Sequence, residues 1–340
     1  MHIKKYMNMR ISKLFLENKL AHKGGSGLEY VDCVAVVFRE KIENSGEDSF
    51  CYSVCENKTM LGVFDGCGGS GAKIYPAFGN KSGAYMASRA AAGATKNWFK
   101  QKYMHSDSDL AECANTLKAS INTGLAICKQ KCGMNAASKM KGSLFKAFPT
   151  TAALTVCRSE GEEISADIFW AGDSRVYLLD STGLAQLTAD DLSGGIDAYE
   201  NISSDAVLTN VINASSDFII HSRRVPLNMP CVVFCASDGC FGYISSPMEF
   251  EFMLLDTLYH ASSVTEWENA VGSYLADTSG DDYTLVAGLF GYGSFDALKE
   301  SLRGRTEDVY YDYIKPLRSN DADWPDELWY KYRESYYRFS

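Results

Sequence analysis

Histidine is scarce in this chain, with five residues in 340. A histidine-rich metal site or a Ser-His-Asp triad therefore has little to draw on. No run of 18 apolar residues occurs, so no transmembrane helix is expected. Lys4, Lys5 and Arg10 make the N-terminus basic, but Lys13, Glu17 and Lys19 interrupt the apolar residues there, and a signal peptide is not expected. A basic surplus is missing too. The net charge of -10 leaves no clustered cations for nucleic acid or an anionic membrane, and neither is expected as a partner. Internal repeats and low-complexity linkers are absent. What is left is a chain of ordinary globular composition, 46% hydrophobic and 22% charged, long enough to bury a large core. A cytoplasmic monomer is the default.

The 11 cysteines form an odd set in a chain too long to need disulfide staples. Most stand in apolar runs and behave as small buried hydrophobes. The pairs Cys51/Cys55 and Cys231/Cys235 fall on one face of a strand, and no histidines accompany them at zinc-finger spacing.

The apolar pattern predicts strands over Val31–Phe38, Phe50–Cys55 and Met60–Phe64, with a turn at Ser45-Gly46-Glu47-Asp48. An alanine-rich helix over about Ser82–Lys102 follows, then a second from Ser108 to about Lys131. Strands return at Thr150–Cys157, Ile164–Trp170, Arg175–Leu179, Phe218–Val225 and Cys231–Ala236. Two more helices, near Pro247–His260 and Val264–Leu275, precede a last strand at Tyr283–Phe290. Hairpin-like spacing favours antiparallel pairing over βαβ winding, so the fold class is α+β: an αββα sandwich of two antiparallel sheets flanked by helix pairs. Residues 1–30 read as an N-terminal extension, 31–290 as the main domain and 291–340 as a helical, aromatic-rich extension. In the last, Trp329, Tyr332, Tyr336 and Phe339 form one stripe suited to capping the domain.

Four aspartates end or abut apolar runs. Asp65 closes Leu61-Gly62-Val63-Phe64 and opens a glycine-rich turn; Asp173, Asp238 and Asp281 stand at similar points. Each Asp-Gly pair alone is an ordinary turn. Converging carboxylates repel one another without a cation, and oxygen donors suit hard divalent ions.

In order along the chain, these segments resemble the motifs of the metal-dependent type-2C (PPM) serine/threonine protein phosphatases in their bacterial form. Asp65-Gly66-Cys67-Gly68-Gly69 is similar to the family's metal loop, and Phe148-Pro149-Thr150-Thr151-Ala152 to its Gly-Thr-Thr strand start. Ala171-Gly172-Asp173-Ser174-Arg175 matches the Gly-Asp-Ser-Arg turn and Gln186-Leu187-Thr188-Ala189-Asp190 the Leu-Thr-X-Asp segment. Ala236-Ser237-Asp238-Gly239 and Gly280-Asp281-Asp282-Tyr283-Thr284 complete the series. The resemblance implies a centre of two Mn²⁺ or Mg²⁺ ions, with a third, weaker ion beside Asp173. Asp65 would bridge, Gly66 would lend its carbonyl, Asp238 and Asp281 would hold one ion and Asp32 the other through water. It also implies a phosphoprotein substrate, and signalling within a protein-kinase pathway. In such a centre two ions about 3.5–4 Å apart activate a water and neutralise charge on the phosphoryl oxygens.

Three departures from the family matter most. Val31 precedes Asp32 where a Glu or Gln is usual, and Gly27 stands where an arginine often grips phosphate, leaving Lys23 as a substitute contact. Cys67 occupies the place of a histidine that resembles a general acid in eukaryotic members. Asp282 replaces an asparagine, and Arg223 and Arg224 beside His221 are candidates to meet an acidic substrate. A weak or inactive phosphatase acting as a regulatory binding module is the alternative within the fold. A two-metal nuclease is the alternative outside it, opposed by the acidic charge.

Overall fold

The computed structural model describes residues 31–55, 57–105, 109–133, 146–160, 163–194, 197–202, 206–319 and 324–339. Strands β1 (Val31–Arg39), β2 (Ser49–Cys55) and β3 (Lys58–Phe64) come first, then a single turn of helix α1 (Gly68–Gly71) and a two-residue ribbon, β4 (Ile74–Tyr75) with β5 (Lys81–Ser82). Helices α2 (Gly83–Gln101) and α3 (Leu110–Lys131) lead to β6 (Ala152–Glu160), β7 (Glu163–Ala171), β8 (Arg175–Asp180) and β9 (Gly183–Gln186). A short α4 (Ala198–Ile202) precedes β10 (His221–Pro226) and β11 (Cys231–Ala236). Then come α5 (Pro247–His260), α6 (Val264–Thr278), β12 (Tyr283–Phe290), α7 (Phe295–Val309), α8 (Lys315–Leu317) and α9 (Trp324–Tyr336), with a π-helical turn at Tyr310–Ile314.

Two five-stranded sheets run in the orders β1-β12-β11-β8-β9 and β10-β7-β6-β3-β2, antiparallel throughout. This is the expected αββα sandwich. Period-2 alternation assigns the faces. On β11, Val232, Phe234 and Ala236 point to the layer under α5, α6, α7 and α9, while Cys231, Val233 and Cys235 point between the sheets with Leu61, Val63 and Phe290. The far layer packs Ala87, Ala91, Trp98, Leu117 and Ile121 of α2 and α3 onto Met60, Leu154 and Phe169. Alanine in α2 serves that close approach. A Cβ added at Gly124 of α3 would stand 3.2 Å from the Ala90 carbonyl oxygen.

All 11 cysteines are free thiols, most of them buried. Trp329, Tyr332 and Tyr336 of α9 are buried, at 5%, 0% and 1% exposure, in the core under the helix layer, whereas Phe339 lies past the end of α9 and packs against the core between the sheets. Strand β9 carries no signal of its own in the sequence pattern, and α7 falls within the helical extension. The former carries only four residues, and α7 is polar on its outer face with one apolar stripe of Phe295, Leu298 and Leu302.

Candidate metal centre

Strand direction decides which acids meet. In one sheet, β3 runs into Asp65, and its last residue, Phe64, pairs with Ser49 at the start of β2, so Glu47 and Asp48 stand beside Asp65. In the other, Ala236 at the end of β11 pairs with Arg175 and Leu285. Asp238 after β11, Asp173 before β8, and Asp281 and Asp282 before β12 therefore share the same edge. The edges are tied across the sandwich. Asp48, 2% exposed, accepts from Ser237 Oγ and Thr284 Oγ1, both at 2.7 Å.

The Asp65 turn is clamped through its backbone. Its carbonyl oxygen accepts from Thr151 N and Thr150 Oγ1, both at 2.7 Å, while Cys67 N donates to the Pro149 carbonyl at 3.2 Å. Thr150 and Thr151, just before β6, thus hold the Asp65 turn by its backbone, and the Asp65 side chain faces Asp238. Glycines permit the approach. A Cβ at Gly66 would meet the Ala84 and Glu47 carbonyl oxygens at 2.6 and 2.8 Å, and one at Gly239 would meet the Asp282 carbonyl oxygen at 1.9 Å. Asp282 is spent on this scaffold, accepting from Lys41 N at 2.7 Å and Glu47 N at 2.5 Å.

Electrostatically the edge is strained by like charge. Burial, then Asp238 and Asp48, hold the Asp65 carboxyl well above its ordinary value, and the Asp65 and Asp238 side chains lie within hydrogen-bond reach. Burial and then Asp238 and Asp190 push Asp173 up to about 8, and burial with Asp238 and Asp282 pushes Asp48 up to about 7. Asp281 is raised by burial and by Asp238. Such carboxyls keep their protons to higher pH when folded than when unfolded. Their contribution to the metal-free fold is therefore fully present in acid and is lost as pH rises from about 4 towards 8. Melting without divalent ions is expected to occur at a lower temperature at pH 8 than at pH 5, and saturating Mn²⁺ is expected to raise the pH 8 Tm by roughly 5–10 °C. A scan of Tm against pH with chelator and with Mn²⁺ checks both signs.

The donor set at this edge, carboxylates with backbone carbonyls beside them, is the oxygen chemistry that hard divalent ions take. Among the described residues, no three Asp, Glu, Cys or His groups already close on one point as an ion cage.

Of the residues marked out by sequence, Asp65, Gly66, Cys67, Asp173, Asp238 and Asp281 gather here. Asp32 does not. It opens β1 at the far end, where Val31 pairs with Phe290, roughly 23 Å of strand from Arg39. There its carboxylate accepts from Tyr292 N at 2.6 Å and Gly293 N at 3.1 Å, holding the turn after β12. The acidic pair beside Asp65 is Glu47-Asp48, in the segment whose sequence reads as a turn. The signal was present, since this pair has the Glu before Asp that Val31-Asp32 lacks. Lys23 and Gly27 lie outside the described residues.

Burial, then Asp173 and Asp238, push the Cys67 thiol up, opposed by Lys146, so it is a protonated thiol and no thiolate nucleophile. Asp190 holds Arg175 in a buried fork, with Nε–Oδ1 at 3.0 Å and Nη2–Oδ2 at 2.6 Å. Asp191 accepts from Gly172 N and faces His221 Nε2, both at 2.9 Å. Arg224 forks onto buried Asp167 and Arg223 donates to the Phe339 carbonyl, so neither arginine awaits a substrate. At the rim, the Tyr243 ring, 50% exposed, lies against Gly280, where an added Cβ would be 2.6 Å from its Cε1. Lys41 Nζ donates to the Gly280 carbonyl beside it.

No family model and no curated protein matches the chain. Solved structures do. The serine/threonine phosphatase Stp1 from Staphylococcus aureus superposes with a TM-score of 0.56 at 19% identity, covering 79% of this chain and 99% of that one. The PPM Ser-Thr phosphatase MsPP from Mycobacterium smegmatis, solved with cacodylate, gives 0.52 at 14% identity, covering 77% and 100%. The catalytic domain of the serine/threonine phosphatase PstP, solved with two manganese ions, gives 0.50 at 16%, covering 76% and 97%. Those structures are matched nearly whole, while about a fifth to a quarter of this chain lies beyond them. With its two antiparallel sheets and flanking helix layers, the chain has the fold of the bacterial PPM serine/threonine protein phosphatases.

Proposed function

We propose that the chain hydrolyses phosphoserine and phosphothreonine esters of proteins at a centre of two Mn²⁺ or Mg²⁺ ions. The observation that carries this reading is the edge of this fold where Asp65, Asp238, Asp281 and Asp48 lie within one another's charge, with Lys41 as an opposing charge on one of the four, Asp281. Asp65, Asp238, Asp281 and the Gly66 carbonyl would hold the ions, with Asp173 as the site of a third. Asp48, and Glu47 tied to Ser82 at the start of α2, take the place first given to Asp32. When bound, the ions supply Lewis acidity that activates water and neutralises phosphoryl charge.

The chain's own groups do the rest. Ser237 and Thr284 fix the Asp48 carboxylate, so its lone pairs have one direction to offer. Thr150 and Thr151 hold Asp65 by its backbone oxygen, so the turn stays in place whatever its carboxyl binds. Lys41 and Lys146 bring positive charge near the rim, as point charges without the fork of an arginine. Tyr243 presents a ring and hydroxyl where a peptide would approach.

Phosphate release from a phosphoserine peptide with Mn²⁺, set against chelator and against duplex and single-stranded DNA, tests the reading. Metal-dependent release from the peptide with intact DNA is expected. Saturable metal binding without release would assign the chain to the binding-module alternative, and DNA cleavage would favour the nuclease.

A further inference from the structure

Helix α9 places Tyr332 and Tyr336 one turn apart in the same buried layer, yet their hydroxyls do different things. Tyr332 donates to Glu251 Oε2 at 2.6 Å. Glu251 also accepts two bonds from Arg305 at 2.8 Å and one from Leu184 N at 3.0 Å. That cluster joins α9 to α5, α7 and β9 and stays away from the acidic edge.

Tyr336 donates to Gln186 Oε1 at 3.0 Å and reaches the Tyr177 hydroxyl at 3.5 Å. Gln186 Nε2 in turn donates to Asp190 Oδ1 at 3.1 Å. Asp190 receives the Arg175 fork, and Arg175 Nη1 donates to the Tyr177 hydroxyl at 3.2 Å, which closes a ring of five buried side chains. Arg175 belongs to the turn that carries Asp173. Its guanidinium also lies over the Phe241 ring, 4.1 Å from the centroid, in the segment whose Phe241 N donates to the Asp238 carbonyl at 3.0 Å. A buried charge pair keeps one geometry only while all its neighbours are satisfied, so a missing hydroxyl at one side of the ring is felt at the other.

We infer that the C-terminal helix is a positioning element of the acidic edge, with the Tyr336 hydroxyl fixing Arg175, and through it the Asp173 turn, by way of Gln186 and Asp190. The inference deepens the proposed function and rests on it only where Asp173 is said to meet a metal. Tyr336→Phe, Gln186→Met and Tyr332→Phe are compared by hydrogen exchange over residues 172–176 and by Mn²⁺ titration, both below Tm. Tyr336→Phe and Gln186→Met are expected to speed exchange in 172–176 and to weaken the weakest Mn²⁺ step about tenfold. Tyr332→Phe is expected to lower Tm while leaving both readouts as in the parent chain. Unchanged exchange and affinity in Tyr336→Phe, or the same pattern in Tyr332→Phe, would overturn the inference. If the parent chain takes up no metal, the proposed function fails, and the exchange comparison by itself still decides this point.

Discussion

Replacing Asp65 by asparagine is expected to lower phosphopeptide turnover about 1,000-fold, because an interaction worth several kcal/mol in the transition state is removed. The amide has the shape of the carboxylate, and the Thr150 and Thr151 bonds go to the backbone oxygen, so the turn keeps its clamp. Only the charge is lost. The same change is expected to act on stability with the opposite sign. Burial, then Asp238 and Asp48, oppose the charged form of Asp65, so above its unfolded titration range the metal-free fold carries a cost that asparagine does not, and at pH 8 without metal Asp65→Asn melts above the parent chain. Added Mn²⁺ then raises its Tm little. Activity lost with stability gained separates removal of a ligand from unfolding, in which both would fall. Turnover and paired melts with and without Mn²⁺ are the measurement.

Gly239→Ala is the second large effect, and it acts through backbone packing. The added methyl would sit 1.9 Å from the Asp282 carbonyl oxygen and 2.9 Å from its carbon. Asp282 has no room to yield, since its carboxylate holds Lys41 N and Glu47 N. One strand end or the other must move, at a cost of about 3 kcal/mol. Melting is expected to fall by roughly 5–10 °C, with metal affinity lost in whatever remains folded. Gly304→Ala on α7 is the control. A Cβ there meets nothing within 4 Å, and alanine in a helix is worth about 0.5–1 kcal/mol over glycine. A Gly239→Ala chain as stable as Gly304→Ala would contradict the close packing of these two turns.

The sequence made the layers legible because buried strands and helices carry their periods openly, as β11 and α2 do. It also exposed Asp65, Asp173, Asp238 and Asp281, each set against an apolar run and a glycine or small-residue turn. Asp32 misled because a strand has two ends and the sequence does not say which faces the site. Strand β1 runs towards the acidic edge and β2 runs away from it, so the aspartate opening β2 is at the centre and the one opening β1 is opposite. The partners of Asp282 and Arg175 were equally hidden. Both rest on pairings between segments distant in sequence, such as Lys41 with Asp282, which no local pattern records. The tail gave its stripe by helical spacing, but not the fact that only one of its buried tyrosines reaches Gln186.

The most direct test of the metal centre is a calorimetric Mn²⁺ titration of the full chain at pH 7.5, repeated with Asp65→Asn, Asp48→Asn and Asp32→Asn (the pH is about where the raised carboxyls begin to ionise). Saturable uptake of about two ions per chain is expected, abolished in Asp65→Asn, weakened in Asp48→Asn and kept in Asp32→Asn. No saturable uptake in the parent chain, or uptake lost through Asp32 and kept without Asp65, would contradict a metal centre at this edge.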